Sequence, residues 1–124
     1  MVQALAYLNE ALPLLRRVGD RAGEATTLTN VGNVYSTLGD QTQALDYYNN
    51  ALVLVRQVGG KASEATTLAN IGAVYAVLED QAQALVYYKE AQVLFRQVGA
   101  RWNEAIIHYN MAMAYANIGP TYGH

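Results

Sequence analysis

EATTLTNVGNVYSTLGDQTQALDYYNNALVLVRQVGGKAS, residues 24–63, decides how this chain is read, because residues 64–103 write it again as EATTLANIGAVYAVLEDQAQALVYYKEAQVLFRQVGARWN. Aligned without a gap, 24 of the 40 positions are identical. A third copy opens at Glu104 with EAIIHYNMAMAYANIG and stops, while residues 1–23 match the second half of the unit, Ala4-Leu5 falling on Ala44-Leu45, Tyr7 on Tyr47 and Arg16 on Arg56. The expected layout is therefore a half-repeat (1–23), two repeats (24–63 and 64–103) and a half-repeat (104–119), in one array over 1–119 with a non-repeat tail at 120–124. A fixed period of this size marks a stacked repeat array.

Within one unit the apolar and small residues Ala25, Leu28, Val31, Gly32, Tyr35 and Leu38 keep the three-and-four spacing of one helical face. Gly39 supplies a C-terminal stop and Asp40 an N-cap with Gln43 three residues on, so a second helix from about Gln41 to Gln57 must lie antiparallel beside the first. Asp80 and Gln83 repeat the cap, with Glu79 in place of the glycine. Between Ala25 and Leu38, Ala65 and Leu78, and Ala105 and Ile118 there is no Asp, Glu, Lys or Arg. Helices without charge are flanked by protein on most sides, so these form the inner layer. The charged helices, with Glu10, Arg16, Arg17, Asp46, Arg56, Lys89, Glu90 and Arg96, form the outer one.

At these positions the chain resembles the tetratricopeptide repeats. Leu28, Val31-Gly32, Tyr35, Ala44 and Tyr48 meet that pattern, as do Leu68, Ile71-Gly72, Tyr75, Ala84 and Tyr88, and His108, Met111-Ala112 and Tyr115 stand in the third copy. The repeat is longer than the common form, with Arg56 and Arg96 where a helix-ending proline is usual. It is similar to the repeats of kinesin light chains, G-protein modulators and bacterial scaffolds. The resemblance implies an all-α, right-handed solenoid of about six helices, alternately outer and inner in antiparallel pairs. Its concave face would bind an extended or helical segment of another protein.

Mapped onto this chain, that face presents Thr26, Thr29, Asn30, Asn33, Ser36 and Thr37, then Thr66, Ala69, Asn70, Ala73, Ala76 and Val77. The third inner helix adds Ile106, Tyr109, Asn110, Met113 and Asn117. Asn30, Asn70 and Asn110 recur at one-repeat intervals, and a primary amide has both donors and an acceptor to offer a peptide backbone. The same ladder could instead tie each inner helix to the next. No Lys or Arg lies on the inner faces, which argues against a clamp for acidic tails.

Net charge of −2 and pI near 5.5 give no footprint for nucleic acid or an anionic membrane. Charged residues make up 15 %, against roughly 25 % in typical soluble domains, so much of the surface is neutral. The absence of cysteine excludes disulfides and thiolate chemistry. Residues 2–15 lack the basic start of a signal peptide, no stretch is long enough to span a membrane, and the expected setting is cytoplasmic. Catalysis and cofactors find no motif. Gly59-Gly60-Lys61-Ala62-Ser63 lacks the earlier glycine of a phosphate loop, and His108 takes a large packing position, with His124 the one other histidine. Arg56 and Arg96 suit helix C-termini, and one ring of each pair Tyr47-Tyr48 and Tyr87-Tyr88 is expected to point inward.

The first helix would have no inner mate and the last no outer one, which places Leu5, Leu8, Leu12 and Leu15, and Met111, Tyr115 and Ile118, on open apolar faces. Pro13 should kink the first helix or loosen its first turns. Residues 120–124 replace the sequence that would begin a further helix. The expected function is a non-enzymatic protein-interaction scaffold with a peptide in a neutral groove. The alternatives are head-to-tail or swapped self-assembly through the end helices, or a regulatory array of a longer signalling protein.

Overall fold

A computed structural model describes residues 2–119. The tail 120–124, including His124, lies outside the described residues. Six α-helices follow one another: α1 (Val2–Val18), α2 (Arg21–Thr37), α3 (Gln41–Val58), α4 (Lys61–Val77), α5 (Gln81–Gln97) and α6 (Arg101–Ile118), with no strand among the described residues. The chain is all-α, as expected, and gathers into two compact units, one of α1 to α3 and one of α4 to α6.

The inner helices α2, α4 and α6 begin three residues ahead of Glu24, Glu64 and Glu104. Gly19, Gly59 and Gly99 end the helices before them in the left-handed region, at φ +74°, +86° and +69°. Asp20 then caps α2 by accepting from the Gly23 N–H at 2.8 Å. Asp40 and Asp80 cap α3 and α5 in the expected way, accepting from the N–H of Gln43 and Gln83 at 3.1 Å each. Gly39 makes the α2–α3 turn at φ +86°, whereas Glu79 must take φ +63° with a side chain in place. That conformation costs an L-residue about 1 kcal/mol. The carbonyls of Ser36 and Ala76, which accept from the N–H of Gly39 and Glu79 at 3.1 Å, also accept from the side-chain amides of Gln41 and Gln81 at 3.3 Å.

In the first unit α2 packs against both α1 and α3. Leu12, Leu28 and Ala51 meet in its core, with Tyr47 and Leu54 against them. In the second unit α5 is the central element, packed on α4 and α6. Its buried residues include Leu85, Tyr88 and Phe95, with Leu68 and Ile71 from α4 and Ile107 from α6. Each such aliphatic or aromatic side chain contributes about 1.5–3 kcal/mol on burial.

Two contacts seat each outer helix on its inner partner. A Cβ on Gly32 would lie 2.6 Å from the Tyr48 ring and one on Gly72 2.7 Å from Tyr88, so only glycine admits these rings. Tyr47 stacks on Tyr35 with centroids 5.5 Å apart, and Tyr87 on Tyr75 at 5.6 Å. Of each tyrosine pair, then, one ring is buried and one covers the inner helix. α1 remains continuous through Pro13, with no break at that residue.

Candidate functional site

The polar positions expected on the inner faces divide by what their own helices already use. Thr26, Thr29 and Thr37 donate their hydroxyls to the carbonyls of Ala22, Ala25 and Asn33 at 3.0–3.1 Å, and Thr66 donates to Ala62. Each threonine oxygen can still accept, but its proton is spent within the helix. Ser36 donates to the Gln41 side chain at 3.4 Å. Asn33 accepts from the Tyr48 hydroxyl and so braces α2 against α3. Burial pushes the Tyr48 phenol up to about 12, and Tyr88 upward as well.

The three repeating asparagines behave differently. Asn30 is exposed on α2. Asn70 of α4 and Asn110 of α6 line one cleft of about 200 Å³ in the second unit, and neither carboxamide bonds to another described residue. Thr66, Ala69 and Ala73 form its α4 wall, Ile106 and Ile107 its α6 wall, and Phe95 contributes from α5. Asn103 joins them, a residue the sequence reading assigned to a repeat boundary and so overlooked. Starting α6 at Arg101 places Asn103 in its first turn. No charged side chain lines this cleft. Such a surface can exchange paired hydrogen bonds with an amide group and cover small apolar side chains, and it has no ion pair to offer. Tyr109 is 66 % exposed, and Val77, Met113 and Asn117 are also exposed.

A larger cavity, about 510 Å³, lies in the first unit over Leu12 and Leu28. Its rim carries Asn9, Arg16, Gln43, Asp46 and Asn50, and Tyr47 and Pro13 complete it. Nothing in the linear pattern pointed to it, because α1 and α3 meet over α2 only in the folded unit.

Two expectations need correction. Leu12 is not on an open face: it is 6 % exposed, in the core with Leu28 and Ala51, because α1 turns that side toward α2. Leu5, Leu8, Leu15, Met111 and Ile118 are half-buried, and Tyr115 is 38 % exposed. Tyr7, absent from the expected set, is 74 % exposed. His108 is not packed like Leu28 and Leu68. Its side chain is half exposed, with Nε2 3.5 Å from Glu104 Oε2 and 3.3 Å from Gln92 Nε2. Leu28 has both α1 and α3 around its helix, whereas α6 packs on α5 without a following helix among the described residues. Glu24 and Glu104 each pair with an arginine of the preceding outer helix. Arg16 Nε donates to Glu24 at 2.9 Å and Arg96 Nε to Glu104, each joining an outer helix to the next inner one. The Arg96 hydrogen bond holds the Glu104 carboxyl below its ordinary range against the opposing desolvation, with a lesser contribution from His108. An arginine eight residues before a glutamate recurs in the sequence at Arg56 and Glu64, the signal that could have revealed these pairs.

Among the described residues no three His, Asp or Glu side chains gather as a metal site requires, and no helix is long and apolar enough to cross a membrane. A tetratricopeptide repeat family model matches residues 1–57 and 42–97. Among solved structures, the chain is similar to a signal transduction ATPase with numerous domains, carrying a tetratricopeptide repeat sensor, from Pyrococcus horikoshii. That likeness has a TM-score of 0.86 at 23 % identity, over 92 % of this chain and 18 % of the other. It is also similar to BtubC (BKLC) from P. vanneervenii, with a TM-score of 0.84 at 20 % identity, over 93 % of this chain and 48 % of the other. The chain thus spans about a fifth of the first structure and about half of the second, and both likenesses concern the fold alone. A comparison with curated proteins gave no match. With the repeated Gly-on-Tyr seats, the alternating helix pairs and the family match covering most of its length, the chain belongs to the tetratricopeptide repeat family.

Proposed function

We propose that the second unit binds an uncharged peptide segment of another protein in the cleft between α4 and α6, with Asn70 and Asn110 as the groups that hold its backbone. Tetratricopeptide repeats generally mediate protein–protein interaction, and the cleft is the part of this chain best suited to it. The observation that carries the reading is that two carboxamides from different helices line one neutral cleft and bond to no described residue. An amide that braced the fold would be spent, as Asn33 is on Tyr48. Asn30, Thr26, Thr29 and Thr37 present acceptors on α2 and contribute there to the same kind of recognition. The role is that of a scaffold, without chemistry of its own.

The test is the double substitution Asn70→Ala with Asn110→Ala, screened against a panel of short uncharged peptides. Loss of two ligand hydrogen bonds should weaken a binding peptide roughly ten- to a hundredfold while the melting temperature stays nearly constant. A fall in stability with peptide binding intact would make the amides internal scaffolding and sink the reading.

A second reading, self-association, is favoured by a different observation: Tyr7 on α1 and Tyr115 on α6 are exposed at positions whose equivalents stack in pairs elsewhere in the chain. The likeness to the sensor repeats of an ATPase, at 23 % identity, gives a regulatory role no support beyond the shared fold.

A further inference from the structure

The self-association reading acquires a definite register when the inner-to-outer contacts are compared along the chain. Twice an inner helix receives an outer one through the same two seats. Gly32 takes the Tyr48 ring and Tyr35 stacks on Tyr47; Gly72 takes the Tyr88 ring and Tyr75 stacks on Tyr87. The third inner helix, α6, carries Ala112 and Tyr115 at these two positions, and α1 carries Leu8 and Tyr7 where α3 and α5 have their tyrosine pairs.

The exchanges compensate one another. Where the inner helix gains a methyl, Ala112 for glycine, the outer position loses a large ring, Leu8 for tyrosine. Leu8 brings no hydroxyl, and the Asn33 position is apolar in α6, Met113, as it already is in α4, Ala73. The tyrosine of the stack is kept on both sides, as Tyr115 and Tyr7. A glycine-to-alanine change alone would shut out a tyrosine ring, since that Cβ would lie under 3 Å from it. Paired with leucine, the alanine fits.

Resting on the self-association reading, we infer that α1 of a second copy of this chain docks on α6, seating Leu8 on Ala112 and stacking Tyr7 on Tyr115. The contact continues a series of interfaces that the chain already makes twice within itself. Each copy offers one α1 and one α6, so the contact is heterologous and the assembly grows as a chain or closes as a ring. An opposing feature is electrostatic. Arg21 donates to Gln57 across α2 and α3, and the equivalent positions across the new contact are Arg101 and Arg17. That repulsion is exposed and screened by salt, so the association is measured at about 0.5 M NaCl.

The experiment is molar mass by light scattering over a concentration series of the full chain and three variants, with far-UV circular dichroism to establish that each is helical. The parent should climb above its 13.5 kDa. Leu8→Tyr should weaken the association at least roughly tenfold by clashing with Ala112, and Leu8→Tyr with Ala112→Gly should restore it to within about threefold of the parent, because it rebuilds the seat of the other two pairs. Tyr7→Ala, which truncates an exposed ring, should weaken it by about fivefold. A mass that stays at 13.5 kDa throughout overturns self-association itself. A parent that associates while Leu8→Tyr or Tyr7→Ala leaves its affinity unchanged, or a double variant that is helical but not restored, overturns the register and leaves self-association standing.

Discussion

The two units are cut from the same forty-residue text in opposite phase. In the first, an inner helix lies at the centre, α2 between α1 and α3. In the second, an outer helix does, α5 between α4 and α6. The first unit accordingly has its cavity between two outer helices, over Leu12 and Leu28 with a charged and amide rim, while the second has its cleft between two inner helices, neutral and lined by Asn70, Asn103 and Asn110. Near-identical modules thus give unlike surfaces according to which helix is flanked. Recognition in such an array is set by phase as much as by sequence.

The shared Gly-on-Tyr seat is where the comparison breaks most sharply. A Cβ on Gly32 would have its three nearest atoms, at 2.6–3.2 Å, all on the Tyr48 ring, whereas for Gly72 the third, at 3.2 Å, is the Ala84 carbonyl, which is backbone and cannot turn aside. Gly72→Ala should therefore cost about 2 kcal/mol and Gly32→Ala about 1, after the gain in helix propensity is set against the overpacking. Urea unfolding of the two variants measures both, and equal costs would mean that the ring alone governs the seat.

Next in size is the hydroxyl behind that ring. Tyr48 donates to Asn33, whereas the position equivalent to Asn33 in the second unit is Ala73. Tyr48→Phe should cost about 1 kcal/mol at neutral pH, and Tyr88→Phe close to nothing. The same residue sets an alkaline limit. Burial raises the folded-state Tyr48 pKa from 10.0 to about 12, so its contribution is complete below about pH 10 and is lost as pH rises toward 12. Denaturant midpoints across that window should fall less steeply in Tyr48→Phe than in the parent. An unchanged slope would remove the phenol from the account.

The smallest effect concerns the turns. Gly39 reaches φ +86° freely, and Glu79 holds φ +63° at a cost. Glu79→Gly should stabilise by about 0.5 kcal/mol, because the relieved strain exceeds the added freedom of the unfolded chain, and Gly39→Ala should destabilise by about 1 kcal/mol. Paired thermal melts decide whether the second unit carries the strain that the first avoids.

Much of this architecture was legible in the residues. The forty-residue period, the charge-free helices, Asp40 and Asp80 as caps and the tyrosine pairs all act over a few residues along one helix or turn. The repeat is framed on Glu24, the first identical residue, which lies three residues inside α2, whereas the physical start of that helix is the Asp20 cap. Leu12 was misplaced for a different reason: hydrophobic spacing reveals that a helix has an apolar face but not which neighbour covers it. His108 was misjudged because its repeat position was assumed to carry its environment along.

By itself, the sequence determined the all-α repeat class, the helix pairing and the membership of the family, since each rests on periodicity and caps that any local segment displays. Only the tertiary structure decided which amides are spent and which are available, that Asn33 braces Tyr48 while Asn70 and Asn110 share a cleft. It also decided that Leu12 is core and Tyr7 surface. The reason is physical: hydrogen-bond partners and burial are pairwise properties of residues far apart in the chain, and a linear pattern specifies only one member of each pair.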